Sequence, residues 1–160
     1  MTKAVVTGLH PEQDRHLVLL DIENIVGGPQ ATAAEVSHAH CVLSTVIPDI
    51  DAVQLVLACS HKAAKVAAFE FRDRLQRWRS GPDGADLALI DLMSDLRVMR
   101  RFGRVTLCSG DGIFAESLAA LAAVGIKTTV VSSADRLSRR LRLAAQQVVM
   151  LDGVPDQEIA

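Results

Sequence analysis

Short apolar runs that stop abruptly at a polar residue recur along this chain, and they constrain its fold more than any other feature. One run ends at Asp21 and another just before Ser109. Such runs are typical of strands buried on both faces of a parallel sheet. The segments between them have helical apolar spacing, and strands that alternate with helices pair in parallel through right-handed crossovers. The sequence therefore predicts an α/β fold: a three-layer α/β/α sandwich with a central, mainly parallel sheet of five or six strands.

The predicted elements follow each other in regular order. Strands are predicted over residues 16–21, 52–59, 74–79, 105–108, 127–132 and, as a small last one, 148–151; helices are predicted over about 31–47, 62–71, 83–100, 111–124 and 138–146. A chain of 160 residues is long enough to bury a sizeable core. We expect one domain over residues 1–160, with its core at about 17–151 and loose termini.

Composition narrows the class of protein. The chain is 49% hydrophobic and carries a net charge of −2, so it has no overall attraction to nucleic acid. No apolar stretch reaches the roughly 20 residues that a membrane span needs.

Cys41, Cys59 and Cys108 are widely spaced and lie in apolar sequence, which favours buried thiols over a disulfide frame or a zinc site. His38 and His40 fall in a predicted helix and point to different faces, which disfavours a metal role there. We expect a cytoplasmic protein.

Arginines nevertheless form three local groups. If these arginines are solvated residues at helix ends and on an edge strand, they need no special function. Two groups that converged beside an acidic centre would instead form a rim for phosphate groups. The groups are Arg72, Arg74, Arg77 and Arg79; Arg97, Arg100, Arg101 and Arg104; and Arg136, Arg139, Arg140 and Arg142.

Acidic and amide side chains stand where a parallel sheet would gather them. Asp21 ends the first predicted strand and is followed by Glu23 and Asn24; Asp86 lies in the first turn of the central helix, and Asp111 follows the fourth strand. Open α/β sheets bind ligands beyond the carboxyl ends of their strands. Carboxylates brought together there could hold a divalent metal ion.

Structural roles compete with that interpretation. Asp83 is a suitable N-cap, Asp86 is favoured by the helix dipole three residues later, and Asp111 could cap the next helix. Asp86, however, shares a helical face with Ile90 and Met93. An unpaired charge that points toward an apolar interior is unfavourable, so this placement favours a functional role for Asp86.

Three motifs together resemble the NYN domain of the PIN-like nuclease superfamily. They are LLDIENIVGG, GPDGADLALIDLM and VTLCSGDGIFAESLAALAAVGIKTTVVS, and the similarity covers about residues 17–151. The resemblance implies a metal-dependent nuclease, acting chiefly on RNA, whose acidic residues bind magnesium or manganese. By position, Asp21 matches the acid that ends the first strand and Asn24 its polar partner. Asp86 matches the acid that opens the central helix, and Asp111 the first acid of the family's Ser-Gly-Asp-x-Asp-Phe motif.

The chain departs from the family pattern at two places. Ile113 stands where the motif has its second acid, and the basic residue often found before the central-helix acid is replaced by Gly84 and Ala85. Loss of an acid makes a tightly held second ion less favourable. Three acids elsewhere in the sequence could compensate in space: Glu23, Glu116 and Asp135.

Three hypotheses follow for the function. The first is an Mg²⁺- or Mn²⁺-dependent ribonuclease with Asp21, Asn24, Asp86 and Asp111 as catalytic residues, the three aspartates binding the metal. The second is a catalytically degenerate PIN-like module that binds RNA or a protein partner. The third is a phosphatase of the haloacid dehalogenase type, because LLDIEN begins like that family's strand-end motif. The Ala- and Leu-rich helix that follows Asp111 could pack in the core, which we favour, or form a homodimer face.

Overall fold

A parallel sheet of six strands forms the centre of the structure, a computed structural model that describes residues 15–60, 62–78 and 83–153. The strands lie in the order β3-β2-β1-β4-β5-β6, and all neighbouring pairs are parallel. The predicted fold class is confirmed. The strands are β1 (His16–Asp21), β2 (Gln54–Cys59), β3 (Leu75–Trp78), β4 (Arg104–Cys108), β5 (Lys127–Ser132) and β6 (Gln147–Met150).

Helices connect the strands. Within the described residues they are α1 (Ile22–Val26), α2 (Ala33–Val46), α3 (Ala64–Glu70), α4 (Gly84–Ser94), α5 (Leu96–Met99), α6 (Ala115–Ala123) and α7 (Arg139–Ala144). None of these helices is long and apolar enough to span a bilayer. Arg79, at the end of the third predicted strand, and the termini predicted to be loose lie outside the described residues.

Two hydrophobic clusters, one on each face of the sheet, hold the three layers together. Successive strand residues point to opposite faces, so Leu17 and Leu19 of β1 join one cluster while Val18 and Leu20 join the other. Helices α4 to α7 pack on the first face, and α1 to α3 pack on the second. The central strands are therefore buried on both sides, which explains their unbroken apolar sequence.

The strand order places a crevice between β1 and β4. After β1 the chain continues into α1 and α2 on the second face, whereas after β4 it continues into α6 on the first face. Adjacent strands whose connections leave in opposite directions define the topological switch point of an α/β sheet, the usual ligand site of such folds. Asp21 is the last residue of β1, and Ser109 to Asp111 follow β4 directly.

Some local predictions were wrong. The chain enters α1 directly after Asp21, where the sequence predicted no helix. The central helix is interrupted at Asp95, whose carboxylate accepts hydrogen bonds from the backbone N of Arg97 and Val98 and starts α5. Asp83 precedes α4 in a left-handed conformation, with φ 57°, and makes no capping hydrogen bond. Local side-chain hydrogen bonds of this kind compete with helix continuation and are hard to rank from sequence.

Candidate active site

A cleft of about 170 Å³ opens at the carboxyl edge of the sheet. We call it the acidic cleft, and residues from four segments of the chain line it. They are Asp21, Glu23, Asn24, Ser60, Asp83, Gly84, Ala85, Asp86 and Asp111. The structure thus brings together all four side chains that the sequence singled out as site residues: Asp21, Asn24, Asp86 and Asp111.

Asp21 is the buried centre of the acidic cleft. Asp21 is only 2% exposed. Its carboxylate accepts a hydrogen bond from the Ser109 hydroxyl at 2.9 Å and another from the backbone N of Asn24 at 3.3 Å. Burial raises the pKa of Asp21, although these hydrogen bonds oppose that rise. The β1 strand therefore delivers a carboxylate into a site where its negative charge is poorly solvated.

Asp86 faces Asp21 from the first turn of α4. Its side chain hydrogen-bonds to Asp21, and its pKa is raised to about 7 by burial and by the negative charges of Asp21 and Asp111. Two carboxylates this close repel each other unless a proton or a cation lies between them. Capping alone could have explained an acid at the start of α4. In the structure, the carboxyl group of Asp86 also holds a proton near neutral pH.

Asn24 and Ser109 join the tips of β1 and β4. The Asn24 Oδ1 atom accepts a hydrogen bond from the backbone N of Gly110 at 2.8 Å, and the Ser109 hydroxyl that binds Asp21 also accepts one from the backbone N of Asp111 at 3.2 Å. Asp111 itself is exposed and caps the turn that follows, through its Oδ1 atom and the backbone N of Ile113. The proposed capping role of Asp111 is real, and it engages one of the two carboxylate oxygens.

Arg136 connects a third segment, the loop between β5 and α7, to the ends of β1 and β4. Its guanidinium donates hydrogen bonds to the backbone oxygens of Asn24 at 3.1 Å and Ile25 at 2.6 Å, and so satisfies carbonyl groups at the end of α1. Two residues later, the backbone N of Ser138 donates to the Gly110 oxygen at 2.8 Å. Sequence reasoning missed this role, because the only feature that distinguishes Arg136 in the sequence is that it belongs to one of the arginine groups.

Gly110 lies where the three segments touch. A Cβ atom at this position would collide with the backbone of Arg136, which cannot move aside as a flexible side chain would. We expect Gly110→Ala to destabilise the protein by about 1 to 3 kcal/mol, as overpacking usually does. Gly28→Ala is the matched control, because no atom lies within 4 Å of a Cβ atom there. Equal urea-unfolding midpoints for the two variants would show that the junction tolerates a side chain.

Within the part of the chain that the structure describes, the remaining acids and histidines that the sequence singled out do not line the acidic cleft. Asp91 is exposed on α4, Glu116 pairs with Arg140 at 2.7 Å, and Asp135 lies 3.9 Å from Arg136. The imidazole of His40 contacts Glu70 at 3.0 Å and Asp51 at 3.4 Å, as a link between α2, α3 and a loop.

The donor set of the acidic cleft fits a hard divalent cation. Carboxylate, amide and hydroxyl oxygens are the ligands that magnesium and manganese prefer, and magnesium commonly uses only one or two protein carboxylates. Across the described residues, no group of three or more His, Cys, Asp or Glu side chains already has the spacing to hold an ion.

Fold and cleft together define a parallel α/β protein with carboxylates gathered at its topological switch point. The NYN domain family model matches residues 12–152, so the chain belongs to the NYN domain family, a branch of the PIN-like nuclease superfamily. No curated protein matches the chain. A solved structure of a protein of unknown function from Vibrio parahaemolyticus is similar, with a TM-score of 0.60 and 17% identity over 89% of this chain and 96% of that one. That similarity concerns the fold alone.

Proposed function

We propose that this protein is a ribonuclease that hydrolyses RNA phosphodiester bonds with Mg²⁺ or Mn²⁺ held by Asp21, Asp86 and Asp111. The observation that carries the proposal is the meeting of these three carboxylates in one cleft at the switch point of a nuclease-family fold. Membership of the NYN family favours phosphodiester hydrolysis over the phosphatase chemistry of the haloacid dehalogenase type.

Each protein group in the acidic cleft has a role that follows from its environment. A bound divalent ion supplies Lewis-acid polarisation of the phosphodiester and makes a water molecule more acidic. Asp21 is fixed by Ser109 and the backbone of Asn24, so it presents its charge in one place. Asp86, with a pKa of about 7 in the metal-free site, would lose its proton when the ion binds and offer its carboxylate as a ligand.

Asn24 acts as a donor toward the substrate. Its Oδ1 atom is already engaged with the backbone N of Gly110, so its two amide N–H bonds are the part available to a ligand. The geometry favours a contact from its amide nitrogen to an anionic phosphate oxygen, which would hold the scissile group against Asp21 and Asp111.

Arginines of α7 supply positive charge beside the cleft. A Cβ atom on Gly112, directly after Asp111, would meet the side chains of Ser138 and Arg140, so the start of α7 lies against this turn. Arg139 and Arg142 extend the same basic segment. RNA held by such contacts to its phosphates binds less tightly as salt rises.

The test is cleavage of labelled single-stranded RNA by the purified protein in Mn²⁺ or Mg²⁺, with EDTA as the negative control. We expect Asp111→Asn to lower the rate by roughly 100-fold or more, because it removes a ligand of the ion, and the charge stabilisation that a bound ion supplies is worth several kcal/mol. Asp91→Asn is the matched control, because Asp91 is an exposed acid on α4 outside the cleft. Equal loss in both variants would point to a general effect of charge.

A catalytically degenerate RNA-binding module is the second candidate. It is favoured by Ile113, an apolar residue that is 40% exposed where the family motif has an acid. This alternative predicts salt-sensitive RNA binding without metal-dependent cleavage. Turnover by the wild-type protein that EDTA abolishes would exclude it.

A further inference from the structure

The acidic cleft contains a carboxylate that does not belong to the set matched by family position. Ile113 replaces the second acid of the Ser-Gly-Asp-x-Asp motif, and its side chain does not line the cleft. Of the three acids that could compensate in space, Glu116 is paired with Arg140 and Asp135 lies beside Arg136, both exposed and outside the cleft. Glu23 alone of the three lines it.

Glu23 is held in a defined position by the end of β2. Its Oε1 atom accepts a hydrogen bond of 2.9 Å from the backbone N of Ser60, the residue that follows β2. It lies two residues after Asp21, and its charge contributes to the raised pKa of that carboxyl. Asp83 also lines the cleft, but it is exposed and makes no capping hydrogen bond to α4.

Ser60 gives a second, independent sign of a ligand. Its Oγ atom is buried and has no hydrogen-bond partner among the described residues, although the residue lines the acidic cleft. Buried hydroxyl groups in folded proteins are nearly always paired, and an exception calls for an explanation such as a bound ligand. A serine hydroxyl reorients by rotation about one bond, so it can donate to an anion in the cleft.

We propose that Glu23 supplies the carboxylate that Ile113 lacks, as a further ligand of the divalent ion, and that the Ser60 hydroxyl donates to the substrate phosphate. The added ligand lies toward β2. The family motif places its second acid on the opposite side of β1. This inference rests on the proposed function, because it assigns two more residues to the same site.

Glu23→Gln tests the metal ligand without disturbing its position. Glutamine keeps an oxygen that can accept from the backbone N of Ser60 and removes only the charge. We expect the rise in melting temperature that Mn²⁺ produces to fall by more than half, and RNA cleavage to fall roughly tenfold or more. Asp91→Asn, which removes the charge of an exposed acid on α4 outside the cleft, should leave both quantities at the wild-type value.

The outcomes separate this inference from the proposed function. If the wild-type protein responds to Mn²⁺ and cleaves RNA while Glu23→Gln matches Asp91→Asn, then Glu23 is no ligand and only this inference fails. If the wild-type protein shows neither response, the proposed function fails and this inference fails with it. A loss confined to Glu23→Gln supports both.

Ser60→Ala tests the hydroxyl separately. The backbone N that holds Glu23 remains, so the Mn²⁺-induced rise in melting temperature should persist. The variant should melt at a higher temperature than the wild type, because a buried unpaired hydroxyl is removed, while kcat/KM for RNA falls roughly tenfold, as expected for a lost hydrogen bond to a charged group. A higher melting temperature with unchanged kcat/KM would mean that Ser60 has no contact with substrate.

Discussion

Replacing Asp21 with Asn should lower metal-dependent RNA cleavage by roughly 100-fold or more and leave the protein folded. Asp21 is the buried carboxylate at the centre of the acidic cleft, and Asp86 hydrogen-bonds to it directly. The change removes a metal ligand and also removes the charge that helps to raise the pKa of Asp86. Because the ion would polarise the phosphodiester and activate the attacking water, loss of its ligand acts on the chemical step, so kcat should fall more than KM rises.

The fold should survive this change for a specific reason. Asparagine keeps one oxygen to accept from the backbone N of Asn24, and its amide group can donate to the Ser109 hydroxyl, which can reverse its role. Circular dichroism and the melting temperature serve as controls. Cleavage by Asp21→Asn at near the wild-type rate would contradict the assignment of this residue to the catalytic centre.

Asp86→Asn should stabilise the protein at pH 8 and have little effect near pH 4.5 when metal is removed with EDTA. The pKa of Asp86 is about 7 in the folded protein, against an ordinary value of 3.8. Between these values the folded state binds more protons than the unfolded state, so stability falls as pH rises from about 4 to about 7. Asparagine does not ionise, so the difference in the free energy of unfolding between the variant and the wild type should grow over the same pH interval.

The expected gain at pH 8 is about 1 to 2 kcal/mol. The pKa shift alone would allow about 4 kcal/mol, and we reduce it because Asp86 is only half-buried and solvent screens part of the repulsion. Urea unfolding at the two pH values measures the difference. Adding Mn²⁺ should reverse the order at pH 8, because the ion stabilises the wild type. An equal effect of Asp86→Asn at both pH values would mean that the carboxyl does not titrate as proposed.

Much of the architecture was predictable because parallel strands buried on both faces leave a strong pattern. The β1 and β5 limits agree with the predicted ones, and Asp21 could be placed at a strand end from its apolar neighbours alone. The break at Asp95 was not predictable in the same way. A capping carboxylate and a continuous helix have similar local sequence, and the choice depends on how α5 packs its Met99 against the sheet.

The acidic cleft was predictable only in part. Asp21, Asp86 and Asp111 carry sequence signals, since each adjoins a strand end or a helix start. Ser60 carries the same signal, a polar residue directly after a strand, and could have been found by it. Arg136 could not, because its contacts with Asn24 and Ile25 join residues more than 100 positions apart, and only the folded chain brings them together.

The most direct test of a metal-binding acidic cleft is a calorimetric titration of Mn²⁺ into the wild-type protein, Asp21→Asn and Asp91→Asn at pH 8. We expect saturable binding by the wild type and by Asp91→Asn, because at pH 8 Asp86, with a pKa of about 7, has lost its proton and offers a charged ligand. Binding should be lost in Asp21→Asn. Binding of equal strength in Asp21→Asn and the wild type, or no binding by the wild type, would contradict the account.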